Sequence, residues 1–223
     1  MGVNVRGWPP PAKDGFIFDP SLVLYLPLYE LDGAKFQSKD AYGHLCTVTG
    51  ALWRPNGRYF NGSTNKIEIP ASAKQFDFTS EDFTIIAQIY PEDIAANRAY
   101  FDRGNYQVGG YYFYHGGDGK PRLATHQSLA DQTSVCATAV VINKWQNVAV
   151  VRIGTAATFY IDGEAKNSSG ALANPTSISV VSTIASLGTS AYFLGTIGYI
   201  LVYSRALTPQ EVLKNYLATR GRY

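Results

Sequence analysis

Charge is scarce in this sequence. Asp, Glu, Lys and Arg make up 16% of 223 residues, and 19 basic against 17 acidic side chains leave a formal net charge of +2. That balance favours neither nucleic acid nor an anionic membrane surface as a partner. Apolar runs are short, and none approaches the ~18 residues that a membrane span needs. Three histidines and two cysteines are too few and too scattered for zinc-ligand spacing. The opening MGVNVRGWPPPAKDG lacks an apolar stretch, so no secretory signal is read in it. Cys46 and Cys136 lie in strand-like runs, HLCTVTG and TSVCATAV, and are read as buried free thiols, with a disulfide as the alternative.

What is plentiful is β-forming. The apolar fraction is 46%, enough for a core, and there are 16 tyrosines. Strand-like segments recur every ~8–12 residues, broken by Gly, Asn and Pro, which argues for one sandwich domain rather than an α/β fold. Candidates are LVLYLPLYE (22–30), HLCTVTGALW (44–53), FTIIAQIYPED (83–93), AYFDRG (99–104), YQVGGYYFYH (106–115) and SISVVSTIASLG (177–188). Pro27 suggests an edge position or a break for the first. ASAKQF (71–76) reads as a single helical turn.

The C-terminal segment FLGTIGYILVYSRALTPQEVLKNYLATR is the most specific. Ile197, Tyr199, Leu201 and Tyr203 alternate with Gly198, Ile200, Val202 and Ser204, so the strand is apolar on both faces. Thr208, Pro209 and Glu211 then predict a helix start with a capping box. Val212, Leu213, Tyr216 and Leu217 give that helix one apolar face. Residues 1–20, with Pro9, Pro10 and Pro11, read as an extended N-terminal arm ahead of a domain over 21–223.

This closing segment resembles that of the LamG-like, concanavalin A-like jelly rolls. Three other segments carry the same resemblance in the same order: GRYFNGSTNKIEIP (57–70), the strand FTIIAQIYPED, and NKWQNVAVVRIGTAATFYIDGEAKN (143–167), a Trp strand followed by a hairpin closed on Asp-Gly. The resemblance implies an all-β, two-sheet antiparallel jelly-roll sandwich with a short C-terminal helix. It assigns Trp145 to packing. With Phe83, Ile85, Val148, Val150, Ile161 and Leu201, Trp145 is expected in the core. Relatives often bind structural calcium through acidic turns. Here Asn61 and Asn65 stand in the acidic turn and Gly198-Tyr199 replaces a frequent Asp-Glu pair. No cofactor is therefore expected, with Asn61 and Asn65 left as weak calcium candidates.

A retaining β-glucanase on this fold needs two carboxylates about 5 Å apart on one strand face, hence acids at alternate positions. Glu30-Leu31-Asp32 sits at a turn, Glu81-Asp82 are adjacent, and Asp102 has no acid two residues away. No Gly-x-Ser-x-Gly elbow exists either. The sequence therefore predicts no catalysis. For sugar recognition the candidates are Tyr106, Tyr112, Tyr114, His115 and Asp118, with Arg103 and His126 on neighbouring strands. Trp8, Phe16 and Phe18 are apolar anchors that an isolated arm would have no reason to carry. The expected function is a non-catalytic structural or assembly protein, such as a virion decoration, fibre or surface filament subunit, partnered by protein subunits at a virion or extracellular surface. The alternative is a glycan-binding module.

Overall fold

The computed structural model describes residues 15–127 and 130–223. Trp8 and the proline run lie outside them. Among the described residues seventeen strands, one α-helix and a closing 3-10 turn (Arg220–Arg222) follow in chain order. They are β1 (Leu22–Pro27), β2 (Lys35–Gln37), β3 (Leu45–Thr49), β4 (Leu52–Arg54), β5 (Gly57–Asn61), β6 (Lys66–Ile69), β7 (Phe83–Pro91), β8 (Arg98–Asn105) and β9 (Gly109–His115). Then come β10 (Pro121–Gln127), β11 (Ala130–Cys136), β12 (Gln146–Ile153), β13 (Ala156–Ile161), β14 (Glu164–Lys166), β15 (Ser168–Ser169), β16 (Ser182–Ile184), β17 (Leu194–Tyr203) and α1 (Pro209–Thr219). The expected two-sheet antiparallel jelly-roll sandwich with a C-terminal helix is what forms.

Sheet A runs β14-β13-β12-β7-β17-β5-β4, with β1 on the other half of the β17 edge, and sheet B runs β15-β11-β10-β9-β8-β16-β6-β3-β2. All pairs are antiparallel, as in β7 against β17, where Ile85 faces Val202 and Ile89 faces Ile197. Every second residue of β7 enters the intersheet core: Phe83, Ile85, Ala87 and Ile89. Ring contacts close the two sheets on each other, with Phe113 6.5 Å from Phe159 and Tyr111 4.8 Å from Phe83. Fully burying a side chain of this size contributes roughly 1.5–3 kcal/mol. Cys46 and Cys136 are both buried free thiols, and desolvation raises the Cys46 thiol to about 12.

Three local readings change. The predicted strand 44–53 breaks at Gly50, whose φ is +69°. β3 stays in sheet B while β4 crosses to sheet A. A Cβ at Gly50 would lie 2.2 Å from Asn65 Nδ2, so the crossing needs glycine. Residues 71–76 form turns, with Ala73 N–H donating to Pro70 O (3.0 Å), and not a helical turn. The strict alternation of β17 is interrupted at Gly198, where the register with β7 slips between Ile197 and Tyr199. Ile197, Ile200 and Val202 therefore face the intersheet core. Tyr199, Leu201 and Tyr203 face outward, beneath α1.

That outer layer also takes in the described end of the arm. Phe16 is buried there, with Ile17 and Phe18 packed beside it. Ile17 N–H donates to Asn215 Oδ1 (2.7 Å), and Tyr203 OH donates to Ile17 O (2.8 Å). Phe16 stacks edge-on against Tyr25 at 5.0 Å. Phe16 and Phe18 are thus spent on the chain's own sandwich, which corrects their assignment as anchors for another subunit. The Thr208 capping box is complete: Thr208 Oγ1 accepts from Glu211 N–H (3.3 Å), and Glu211 Oε2 accepts from Thr208 N–H (2.8 Å). Among the described residues, no helix is long and apolar enough to cross a membrane.

Candidate functional site

The predicted sugar residues divide between the two faces of sheet B. Tyr112 and Tyr114 share the outer face, as alternate residues of β9 must, while Tyr111 and Phe113 enter the core. The Tyr114, Tyr112 and His126 rings form a stack, with centroids 4.4 and 4.8 Å apart. His126 Nδ1 lies 2.8 Å from Asp131 Oδ1. Its ring is laid against Gly104, where a Cβ would come within 2.5 Å of His126 Cδ2. Asp102, opposite Tyr112, accepts from Gly188 N–H (3.3 Å) and Thr183 OH (3.5 Å). Burial raises its carboxyl well above the usual range, against the opposing pull of these groups, the Gly104 amide and Arg103.

This cluster offers a sugar little to hold. Tyr112 is 7% exposed, Tyr114 6% and His126 0%, because the rings cover one another and Leu187 packs on them. Tyr106, edge-on to His126, is the exposed member at 58%.

Arg103 and His115 point away from that face. Arg103 is ion-paired to Asp77 and reaches Ser182 Oγ (3.1 Å) and Ala71 O (3.3 Å). His115 sits between Tyr100 and Phe193, with Nδ1 2.8 Å from Tyr100 OH, and burial pushes its imidazole down to about 4. Asp118 receives both Arg122 Nη groups (2.8 and 2.9 Å) at an exposed turn. The seven candidates therefore do not assemble into one site.

The calcium candidates are likewise committed to their own turn. Asn61 Oδ1 accepts N–H groups from Ser63, Thr64 and Asn65 (3.1, 3.0 and 3.1 Å), and Asn65 Oδ1 accepts from Asn61 N–H (3.1 Å). Among the described residues, no group of three His, Cys, Asp or Glu is placed to hold a metal ion.

A different site forms on the outer face of sheet A. Tyr59, Thr196 and Tyr90 lie side by side on β5, β17 and β7. Arg54 lies over the Tyr59 ring at 4.0 Å and donates to Thr196 Oγ1 (3.3 Å). Its guanidinium is 3.9 Å from Glu92 Oε1. Trp145 packs 5.6 Å from Tyr90 and 4.6 Å from Tyr223. Arg54, Pro55, Asn56, Tyr90, Glu92, Trp145 and Thr196 line an open groove of about 400 Å³. Trp145 and Tyr90 are half-buried, whereas Arg54 and Asn56 are exposed.

Trp145 is thus a wall of a groove and not a core residue. It precedes β12 by one position, outside the strand, where the family resemblance had placed it in the packing. Arg54, Asn56, Tyr90, Glu92 and Thr196 were missed with it. A signal existed in β7, where core Ile89 forces Tyr90 outward. A second depression, about 470 Å³ beside α1, is lined by Leu213, Leu217, Ala218 and Gly15, with only Gln210 and Lys214 to orient a ligand.

Comparison with known proteins agrees with this architecture. The family model described as the concanavalin A-like lectin/glucanases superfamily matches residues 61–213. No curated protein matches the sequence. Among solved structures, Trypanosoma rangeli sialidase in complex with sialic acid is 18% identical with a TM-score of 0.66, over 92% of this chain and 34% of that one. The same enzyme as a covalent intermediate with 2,3-difluorosialic acid gives the same values. The binding domain of botulinum neurotoxin serotype G is 16% identical with a TM-score of 0.68, over 88% of this chain and 50% of that one. The chain therefore spans about a third of the sialidase and half of the toxin domain. At such identities the likeness is one of fold alone. The expectation of no catalysis is corrected to that extent: the fold is one that a sialidase also carries. More than half of the sequence matches the family model, and the two-sheet architecture agrees: the chain belongs to the concanavalin A-like lectin/glucanase superfamily.

Proposed function

We propose that this chain is a glycan-binding module and that the sugar sits in the groove between Trp145–Tyr90 and Arg54–Asn56. The observation that carries the reading is the pairing of half-exposed aromatic rings with convergent polar groups in an open groove of about 400 Å³. Sugar rings have an apolar C–H face and a rim of hydroxyls, so a site needs both kinds of surface. The Tyr112–Tyr114–His126 stack has the rings but not the exposure. The α1 depression has exposure but few polar groups. The fold supports the same reading, since it is shared with a toxin's receptor-binding domain and with a sialidase in complex with sialic acid. The assembly reading is weaker, because two of its three anchors are packed on their own domain.

The test is a titration of the full chain with a panel of methyl glycosides, followed by the Trp145 indole resonance. A single shallow groove should bind with a Kd in roughly the high micromolar to millimolar range. Trp145→Ala should abolish binding while leaving the fold intact. Binding that survives Trp145→Ala, or that shifts Tyr106 and His126 instead, would move the site to sheet B and end this reading.

A further inference from the structure

Taking the groove to be the sugar site, we infer that it selects neutral pyranoses and that Glu92 is the residue that excludes acidic ones. Arg54 and Glu92 enter the same groove with their charged groups 3.9 Å apart. Their side chains are 48% and 31% exposed, so both remain within reach of a ligand. The guanidinium can only donate hydrogen bonds and the carboxylate can only accept them. A pair of neighbouring sugar hydroxyls does both. One hydroxyl can accept from Arg54 while the next donates to Glu92, and the charge balance of the groove is unchanged. The Asn56 amide offers one more donor and acceptor on the same side. Trp145 and Tyr90 supply the apolar wall for the C–H face.

A sugar carboxylate meets a different situation. Arg54 is the lining residue with a positive charge, and Glu92 already balances it. Arg54 is also held in place by the Tyr59 ring and Thr196 Oγ1, so it is not free to swing toward a second anion. An incoming carboxylate seated on Arg54 would lie a few ångströms from that of Glu92. Repulsion from Glu92 at ~5 Å, on the order of tenfold by itself at a partly exposed site, offsets the attraction of Arg54, and the carboxylate still loses part of its hydration, which leaves the neutral sugar favoured. Arg54 alone would suggest an acidic ligand; the second charge in the groove reverses that expectation.

The experiment compares two ligands that differ only at C6, methyl β-glucoside and methyl β-glucuronide, with the corresponding galactose pair as a second set. Each is titrated into the wild-type chain, Glu92→Gln and Trp145→Ala. Glu92→Gln keeps the size of the side chain and one acceptor oxygen, but removes the charge and puts an amide donor in place of the other oxygen. The expected result is that neutral glycosides bind wild type about tenfold more tightly than the uronides. In Glu92→Gln that gap should close to about threefold or less, mainly through tighter uronide binding. Uronides binding wild type as tightly as the neutral sugars, with binding lost in Trp145→Ala, would overturn the selectivity while leaving the groove as the site. A gap that persists in Glu92→Gln would remove Glu92 as its cause. No binding by any of the four sugars, or binding unaffected by Trp145→Ala, would reject the groove itself and this inference with it.

Discussion

Replacing Arg103 by Met separates a structural strut from a sugar ligand. The wild-type guanidinium is 1% exposed and lies over Phe76 at 5.2 Å. Its Nε donates to Asp77 Oδ1 (2.7 Å), and its Nη groups reach Val180 O, Ser182 Oγ (3.1 Å) and Ala71 O (3.3 Å). One side chain thereby ties β8 to the 71–77 turn and to the approach to β16. Met fills most of the volume but makes none of these bonds. Asp77 loses its buried partner and keeps only the exposed Lys74 (3.2 Å), and two carbonyls lose a charged donor. Breaking a buried pair from one side costs roughly 3–5 kcal/mol, a large part of the ~5–15 kcal/mol that holds a typical domain together. With a urea slope of about 2.5 kcal/mol per molar, 4 kcal/mol lowers the unfolding midpoint by roughly 1.5 M. The double variant Arg103→Met, Asp77→Leu should recover about half of that loss, because no carboxylate is then left without its buried guanidinium. Urea unfolding followed by tryptophan fluorescence measures both. Had Arg103 faced a ligand, Arg103→Met would stay within ~1 kcal/mol of wild type and lose sugar binding instead; that result would refute the strut.

Trp145→Ala should cost only about 1–2 kcal/mol, since the ring is half-exposed, whereas Phe83→Ala should cost about 3–5 kcal/mol from the intersheet core. Equal losses in thermal unfolding would put Trp145 back in the core. Burial holds the His115 imidazole at about 4 against an ordinary 6.5, so the unfolded chain takes up a proton that the folded one resists. The stability this leaves intact above pH 6.5 drains as pH falls toward 4, and urea midpoints over that range should flatten in His115→Phe. Glu211 is held at about 2 by its hydrogen bonds to Arg205, with the Thr208 amide assisting. A depressed carboxylate stabilises above its ordinary pKa of 4.5 and loses that contribution as pH falls through 2, so Glu211→Gln should be weaker than wild type at pH 7 and equal to it near pH 2. After solvent screening the difference at pH 7 should be about 1 kcal/mol; a constant difference down to pH 2 would place its origin outside the ionised pair.

The sequence by itself determined the elements and the fold class. Alternation in 83–90 placed Phe83 and Ile85 inside, Thr208-Pro209-x-Glu211 started α1, and Asp162-Gly163 closed the hairpin between β13 and β14. These are local effects: the pleat sends neighbours to opposite faces, and caps and tight turns are satisfied within four residues. Alternation also separated Tyr112 and Tyr114 from Tyr111 and Phe113. It could not say that the outer pair would be closed over by His126 and Leu187, which arrive from β10 and from the segment after β16. Nor could it say that Arg103 would meet Asp77, 26 residues earlier. Gly198 and Gly50 mattered through what a Cβ there would strike, Tyr223 and Asn65, both distant in sequence. The groove is the extreme case. Arg54, Tyr90, Glu92, Trp145 and Thr196 come from four separate strands or their ends, and no local pattern joins them. Which face of a strand is wet, and which side chains share it, is decided by the neighbours that pack there, and only the assembled sheets bring those neighbours together.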